Sequence, residues 1–580
     1  MVLGYSTLYG YNAIGDRTSS TYVTANGTIT WQYGDYVELG TNDNPSRIFQ
    51  TLTKLTGTVG SAPTAEEMDY QYDSRGRLTG AAFAQTPYTG FTPSGSSPWY
   101  DSSHPAQSRA RAYYTYDAGG RMLNCDHYWD TLVSGTLYYG SSPEIIGNDC
   151  AYDATLGLKT TSTVTDNTVS TPSLTGTYSY TYDPQLDYLA TAYSYDAAGT
   201  GTQSWSYDAA GNRTDSVTDN LNRTSSIGGV STTCDTLGNR LTRGSTTSYS
   251  WDVLNRMKQL ANATSTTNYE YRADGMRSHK SNVAGTVFTE YYHDGQMPME
   301  DAAINGSGLT VTRYGLGARG IDYEEAGTGT WTSSTSRSPG AFSNVGFPIY
   351  DAHGSMIATL ARYGSNSFQL NNKRIYDAWG GVRVGSSTGD PKNRYCGSLG
   401  HQQDDESGLI YMRARYYEPG SGRFVSEDPT RDGANFTIYA RNNPVNLSDS
   451  SGKSSGLPGV AQFLCLFAMG GALLVFATIA ALVCSDVIDA IEGAEIARVA
   501  IYACGIAGAV LGANKYLRGF EAMFAGGLDR VLESIIKGAE AGKDISGLCK
   551  AAVAGVTAYS LLILCEMVLD INEEGPPGSD

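Results

Sequence analysis

Few residue types that usually carry chemistry stand at spacings that would let them act together. The six histidines (His104, His127, His279, His293, His353 and His401) are scattered, with no His-Glu-x-x-His pair to hold zinc and no triad context. The nine cysteines form no Cys-x-x-Cys pair and no Cys/His cluster, so neither a zinc site nor a redox pair is expected. No phosphate-cradling glycine loop or dinucleotide fingerprint occurs, and no cofactor is expected. What remains is carboxylate chemistry. Residues 404–406 (Asp-Asp-Glu) superficially resemble a metal-ligand run, but their place before GLIYMRARYY reads as a solvated turn. Asp428-Pro429 and Asp449-Ser450-Ser451-Gly452 are, by themselves, ordinary turn sequences.

The elements that must position these acids follow from composition. At 580 residues two or more structural units are expected. The net charge of -18 argues against a general nucleic-acid binder. Charged residues are sparse at 17%, while Gly (68) and Tyr (42) are over-used, which is the composition of a turn-rich all-β chain. Aromatic residues are too frequent for disorder. The opening, MVLGYSTLYGYNAIGDR, lacks a basic start followed by an apolar run, so no secretory signal is visible. Export by another route, or a start further upstream, is the expectation.

Up to about residue 390 a short unit recurs at irregular spacing: YDSRGRL from Tyr72, YDAGGRM from Tyr116, YDAAGNR from Tyr207 and YDAWGGV from Tyr376. Looser copies begin at Cys234, Trp251, Tyr271 and Tyr350. Alternation such as YSYTYD, residues 178–183, has the period of a strand. Asp followed by Gly or Asn supplies the turn, and Arg starts the returning strand. Each unit therefore predicts a β-hairpin. A lone hairpin is unstable, so successive units must stand side by side, with tyrosine ladders between strands. The Ser/Thr/Gly-rich insertions 86–97, 160–177 and 327–343 read as surface loops.

The Tyr-Asp units resemble the YD repeats of RHS-type proteins. GLIYMRARYYEPGSGRFVSEDP, followed by YARNNPVNLSDSSG, resembles the RHS-associated core motif. That family includes the C components of insecticidal toxin complexes and contact-dependent bacterial toxins. The resemblance implies a mainly β fold: antiparallel hairpins wound into a shell, closed or incomplete, over residues 1–393. It implies a plug with intramolecular aspartyl protease character at 394–452, then a variable C-terminal toxin at 453–580.

The family's protease motif has two Asp-Pro-x-Gly-Leu boxes, with the cut after the second Leu. Here they become Asp428-Pro429-Thr430-Arg431-Asp432 and Asp449-Ser450-Ser451-Gly452-Lys453. The resemblance therefore assigns catalysis to Asp428 and Asp449 and the cleavage site to Gly452, Lys453 and Ser454. Arg431 would stabilise negative charge nearby, and Asp432 is an alternative acid. Two carboxylates held close cannot both ionise, so one activates water while the other supplies a proton. The first box lacks its Gly-Leu, and the second lacks Pro and ends in Lys. Retention of the plug without processing is a second outcome. Arg413, Arg415 and Arg423 are expected to stack on Tyr416 or Tyr417.

From Lys453 the sequence reads as an all-α hydrophobic region. Residues 459–484 contain no charge and exceed the length needed to span a bilayer, so membrane contact is expected there, the competing reading being a core helix of a compact all-α domain. Shorter apolar runs cover 499–513 and 551–565. The tail has no His and no recognised catalytic motif, which makes membrane perturbation the economical activity. The first reading is a toxin-delivery protein, secreted or associated with the cell envelope, whose cargo is its own C-terminal region. Its partners would be an immunity protein and a secretion or toxin-complex component. The alternative is a non-enzymatic surface protein that binds carbohydrate or protein and is anchored by the tail.

Overall fold

The computed structural model describes residues 6–453 except 12–16, 39–47, 56–64, 74, 85–109, 130–131, 134–135, 138–143, 169–170, 335, 363–367 and 432–434. The chain divides into two units, Met1–Ser455 and Gly456–Asp580, and every described residue lies in the first. The helical region expected beyond Lys453, including 459–484, lies outside the described residues, as do Asp432, Ser454 and the 86–97 insertion. Among the described residues, no helix is long and apolar enough to cross a membrane.

One repeat shows why these residues fold as they do. The Asp73 Oδ1 atom accepts the N–H groups of Arg75 and Arg77, each at 2.9 Å, and closes the turn. Gly76 sits at φ +73°, where a side chain is strained. The Asp73 Oδ2 atom takes the Arg77 guanidinium at 2.7 Å. Asp117–Arg121, Asp219–Arg223 and Asp252–Arg256 repeat the arrangement. In two further copies an Asn side chain replaces Arg, at Asp208–Asn212 and Asp235–Asn239.

The tyrosines join one hairpin to the previous one. Tyr116 donates its hydroxyl to the Leu78 carbonyl at 2.7 Å, Tyr152 to Met122 at 2.8 Å and Tyr207 to Leu189 at 2.7 Å. Tyr271 and Tyr376 do the same to Met257 and Met356, and Trp251 uses its indole N–H on Arg240. In each case the acceptor is at the start of the preceding returning strand. The Arg of one turn then lies over the Tyr ring of the next: Arg77 over Tyr116 at 4.8 Å, Arg121 over Tyr152 at 4.9 Å and Arg256 over Tyr271 at 5.1 Å. Side-chain ladders were the expectation. The observed link runs from hydroxyl to backbone, which explains Tyr rather than Phe at this position.

Repetition of this joint yields two large antiparallel sheets in near-strict chain order. Thirteen strands run from Ser6–Tyr11 to Gly199–Ser204, and sixteen from Ser216–Thr218 to Phe368–Asn371. The two share one apolar core. Tyr22, Met68, Tyr70 and Ala112 of the first sheet pack in the same cluster as Met299, Val311, Phe347 and Leu360 of the second. Polar links cross as well: Tyr70 to Asp322 and Lys373 to Asp166, each at 2.6 Å. The insertions 160–177 and 327–343 are not simply loops. They include most of strand Lys159–Asp166, half of Gly320–Ser333 and all of Ser336–Ser338, because Thr-rich sequence alternates well on a pleated surface.

The last element is small. Gln402–Gln403, Ile410–Met412, Arg415–Glu418 and Arg423–Phe424 form a four-stranded antiparallel sheet, every residue of which is buried. Replacing Tyr376 by Phe removes a 2.7 Å hydrogen bond and leaves the Met356 carbonyl short of a donor. It should cost about 1–3 kcal/mol, read as a lower urea midpoint with unchanged far-ultraviolet circular dichroism.

Candidate functional site: two carboxylates on one arginine

The short sheet brings its charges inward: Arg415 and Glu418 are met by opposite charges, while Arg423 bonds a hydroxyl and a carbonyl. Arg415 opens the strand Arg415–Glu418 and is 3% exposed. Its Nη2 lies 3.1 Å from Asp449 Oδ2 and 3.6 Å from Asp428 Oδ2. Those acids are 1% and 5% exposed. Its Nε donates to the Gly452 carbonyl and its Nη1 to the Phe436 carbonyl at 3.0 Å. The guanidinium lies 3.6 Å over the Phe424 ring. One fully buried cation thus gathers both acids and the backbone between them.

Local structure explains each placement. Asp428 follows Arg423–Phe424, donates its N–H to Phe436, and caps Thr430 through the Thr430 N–H at 2.8 Å. Asp449 arrives after a tight reversal in which Ala440, Arg441 and Asn442 all take left-handed φ of 46°, 50° and 56°. Left-handed backbone costs roughly 1–2 kcal/mol per residue. It is offset here by the buried Tyr439 ring and by Asn442 Nδ2 on the Gly211 carbonyl at 2.8 Å. Asp449 Oδ1 accepts the N–H groups of Gly452 at 2.8 Å, Lys453 at 3.2 Å and Ser451 at 3.3 Å. Gly452 has φ +70°, and a Cβ there would meet the Met412 carbonyl oxygen at 2.1 Å, so no other residue fits.

Burial pushes the Asp449 carboxyl up to about 6, and the Asp428 charge adds to the rise. Arg415 and the amides of Gly452 and Ser451 hold it from going further. An acid that keeps its proton up to about pH 6 beside a second acid is the arrangement from which acid–base hydrolysis is built. The Lys453 carbonyl faces the same place: Thr430 Oγ1 is 3.2 Å from it and 2.7 Å from Asp428 Oδ1.

The structure therefore brings Asp428, Asp449, Gly452 and Lys453 together, while Asp432 and Ser454 are not described. Arg431 is exposed at φ 52°, and its charge bears on Glu427. Arg415 holds the position between the acids. It stacks on Phe424 rather than on the expected Tyr416 or Tyr417. Arg413 reaches the Gln296 carbonyl at 2.9 Å, and Arg423 bonds Thr437 and the Gly211 carbonyl. Tyr416 lies instead beside Arg277 of the second large sheet. Residues 404–406 are a second correction. Asp404 is buried against Arg277 (2.7 Å) and Lys280 (3.0 Å), Asp405 pairs Arg394 at 2.6 Å, and Glu406 takes Lys280. Burial alone would raise Asp404, but the two cations outweigh it and hold the carboxyl below its usual range. Thr430 was missed, and Arg415 was named without its role between the acids. Charge balance was the available signal for the role of Arg415, since two buried acids require a cation nearby.

No family model matches the chain. The tRNA nuclease WapA of Bacillus subtilis is 38% identical over 112 residues, 18% of this chain and 5% of that protein. Toxin subunit YenC1 of Yersinia entomophaga is 37% identical over 92 residues, 15% of this chain and 9% of the relative. Toxin protein Tse5 of Pseudomonas aeruginosa is 32% identical over 120 residues, 20% and 9% of the two chains. The matched segments thus span less than a tenth of these relatives' length. Among solved structures, TcdB2-TccC3 matches with TM-score 0.42 and 18% identity over 76% of this chain and 24% of that one. Over these segments the chain is similar to RHS-repeat toxin proteins.

Two outcomes test the electrostatics. Arg415→Met strands two buried carboxylates and should cost about 3–5 kcal/mol, less at pH 4 than at pH 8 by urea titration. Folded Asp449 keeps its proton to about 6, whereas an ordinary aspartate releases it near 3.8. Its contribution to stability is full below 3.8 and is lost as pH rises to about 6. Asp449→Asn should remove that slope.

Proposed function

We propose that this chain is a toxin-delivery protein whose hairpin wall, wound into a shell, encloses or presents residues 454–580 as an effector. The core segment would free that effector by cutting its own chain after Lys453. The single observation that carries the reading is the gathering of Asp428 and Asp449 on Arg415, with the Gly452 and Lys453 carbonyls bonded to the same cluster. Likeness to proteins named toxins supports the delivery role.

In this mechanism the Asp428 carboxylate takes a proton from water as the water attacks the Lys453 carbonyl carbon. Asp449, which holds a proton, gives it to the departing nitrogen. Arg415 fixes the distance between the acids and pins the strand entering the cut through the Gly452 carbonyl. An intramolecular substrate held in this way needs no binding step, which removes much of the entropic barrier. The changed boxes are accommodated. Gly452 keeps a position where a side chain cannot fit, and Lys453 is exposed.

The effector would act at a membrane through 459–484, and the protein would work outside the producing cell or at its envelope. An immunity protein and a toxin-complex or secretion component are its proposed partners. Denaturing electrophoresis of the purified full chain tests the reading. Wild type should run as two bands, residues 1–453 and 454–580, while Asp428→Asn and Asp449→Asn each run as one. The cut requires protonated Asp449, so its rate should fall as pH rises through about 6. A rate that climbs with pH over this range would contradict the assignment.

A further inference from the structure

Thr430 stands where the acid pair meets the proposed cut, at the variable position of the first box, to which the resemblance assigns no role. Its N–H donates to Asp428 Oδ1 at 2.8 Å, which fixes its place relative to that acid. Its hydroxyl has one proton and two acceptors within reach: Asp428 Oδ1 at 2.7 Å and the Lys453 carbonyl oxygen at 3.2 Å. While Asp428 is ionised, the nearer and charged acceptor takes that proton. When Asp428 becomes an acid it donates to Oγ1 instead, and the hydroxyl proton is free to turn to Lys453.

We propose that Thr430 is a catalytic residue of the self-cleavage, an oxyanion donor whose hydrogen bond passes from Asp428 to the Lys453 carbonyl oxygen as the tetrahedral intermediate forms. The inference rests on the aspartyl autoproteolysis proposed above. Water oxygen bonds the Lys453 carbonyl carbon, its proton goes to Asp428, and the π electron pair moves onto the carbonyl oxygen. That proton makes Asp428 the donor to Thr430, so the Thr430 proton reaches the oxyanion when the charge appears. The C=O bond then re-forms, the Lys453–Ser454 C–N bond breaks, and the nitrogen leaves with the Asp449 proton. Asp428 ends protonated and Asp449 ionised, and the new carboxylic acid of Lys453 loses its proton to solvent. A donor engaged only after attack stabilises the transition state without tightening the ground state, which is the kind of contact that raises a rate.

The test follows conversion of the newly made full chain to the 454–580 fragment by pulse labelling, with Thr430→Val, Thr430→Ser, Asp428→Asn and Asp449→Asn. Valine keeps the shape and the backbone N–H but has no hydroxyl. Thr430→Val should slow the cut by about 10²–10³-fold, the usual loss for one oxyanion donor. Its resistance to added protease should match that of Asp428→Asn, which shows that it folds. Its residual rate should keep the same pH midpoint, and Thr430→Ser should restore a rate close to wild type. A Thr430→Val chain that cuts at the wild-type rate, while both Asp→Asn chains stay intact, overturns the role of Thr430 and leaves the acid pair standing. A Thr430→Ser chain as slow as Thr430→Val also overturns it, because the methyl group would then be what matters. A wild-type chain that never cuts, or Asp→Asn chains that cut normally, overturns the reading beneath it.

Discussion

Buried charge without a partner is among the most expensive states a folded chain can hold. The core segment has many such charges, and their pairing organises this structure. Asp428 and Asp449 are tolerable inside because Arg415 stands between them. Glu418 is tolerable because Arg240 reaches it from the second large sheet at 2.9 Å, and Asp404 because Arg277 and Lys280 do so from the same sheet. The four-stranded core sheet cannot be satisfied by its own residues. It needs the hairpin wall to supply counter-charges, which ties the geometry of the site to correct stacking of repeats far away in sequence.

Stacking itself is controlled by a joint that is polar and directional. A Tyr hydroxyl on the preceding backbone carbonyl, with an Arg over the ring, fixes register between hairpins more narrowly than apolar contact could. Each repeat therefore transmits position to the next, up to the strands that carry Arg277 and Arg240. The wall holds Arg277 and Arg240 against the core, in which one guanidinium pairs two carboxylates and bonds a backbone carbonyl.

Local features were legible in the sequence, and non-local ones were not. The Asp-turn-Arg unit lies within five residues, so its hairpin could be read directly from YDSRGRL and its copies. The direction of the Tyr hydroxyl was not readable, because its acceptor belongs to another repeat. Burial of Asp404 was misread for the same reason: Arg277 and Lys280 lie on a remote strand, and an acidic run beside a turn resembles a solvated one until they appear. Arg415 was seen but assigned to the wrong ring, since Phe424 meets it only after the core hairpins fold. The acid pair became visible through resemblance alone. By themselves Asp428-Pro429 and Asp449-Ser450 look like turns, which they also are.

The central claim is that the shared arginine assembles a working acid pair at the Gly452–Ser454 link. The most direct measurement is the N-terminal sequence of any fragment released from the purified wild-type chain. The account predicts a single new terminus at Ser454. A terminus elsewhere, or a chain whose intact mass is that of all 580 residues after long incubation near pH 5, would contradict it.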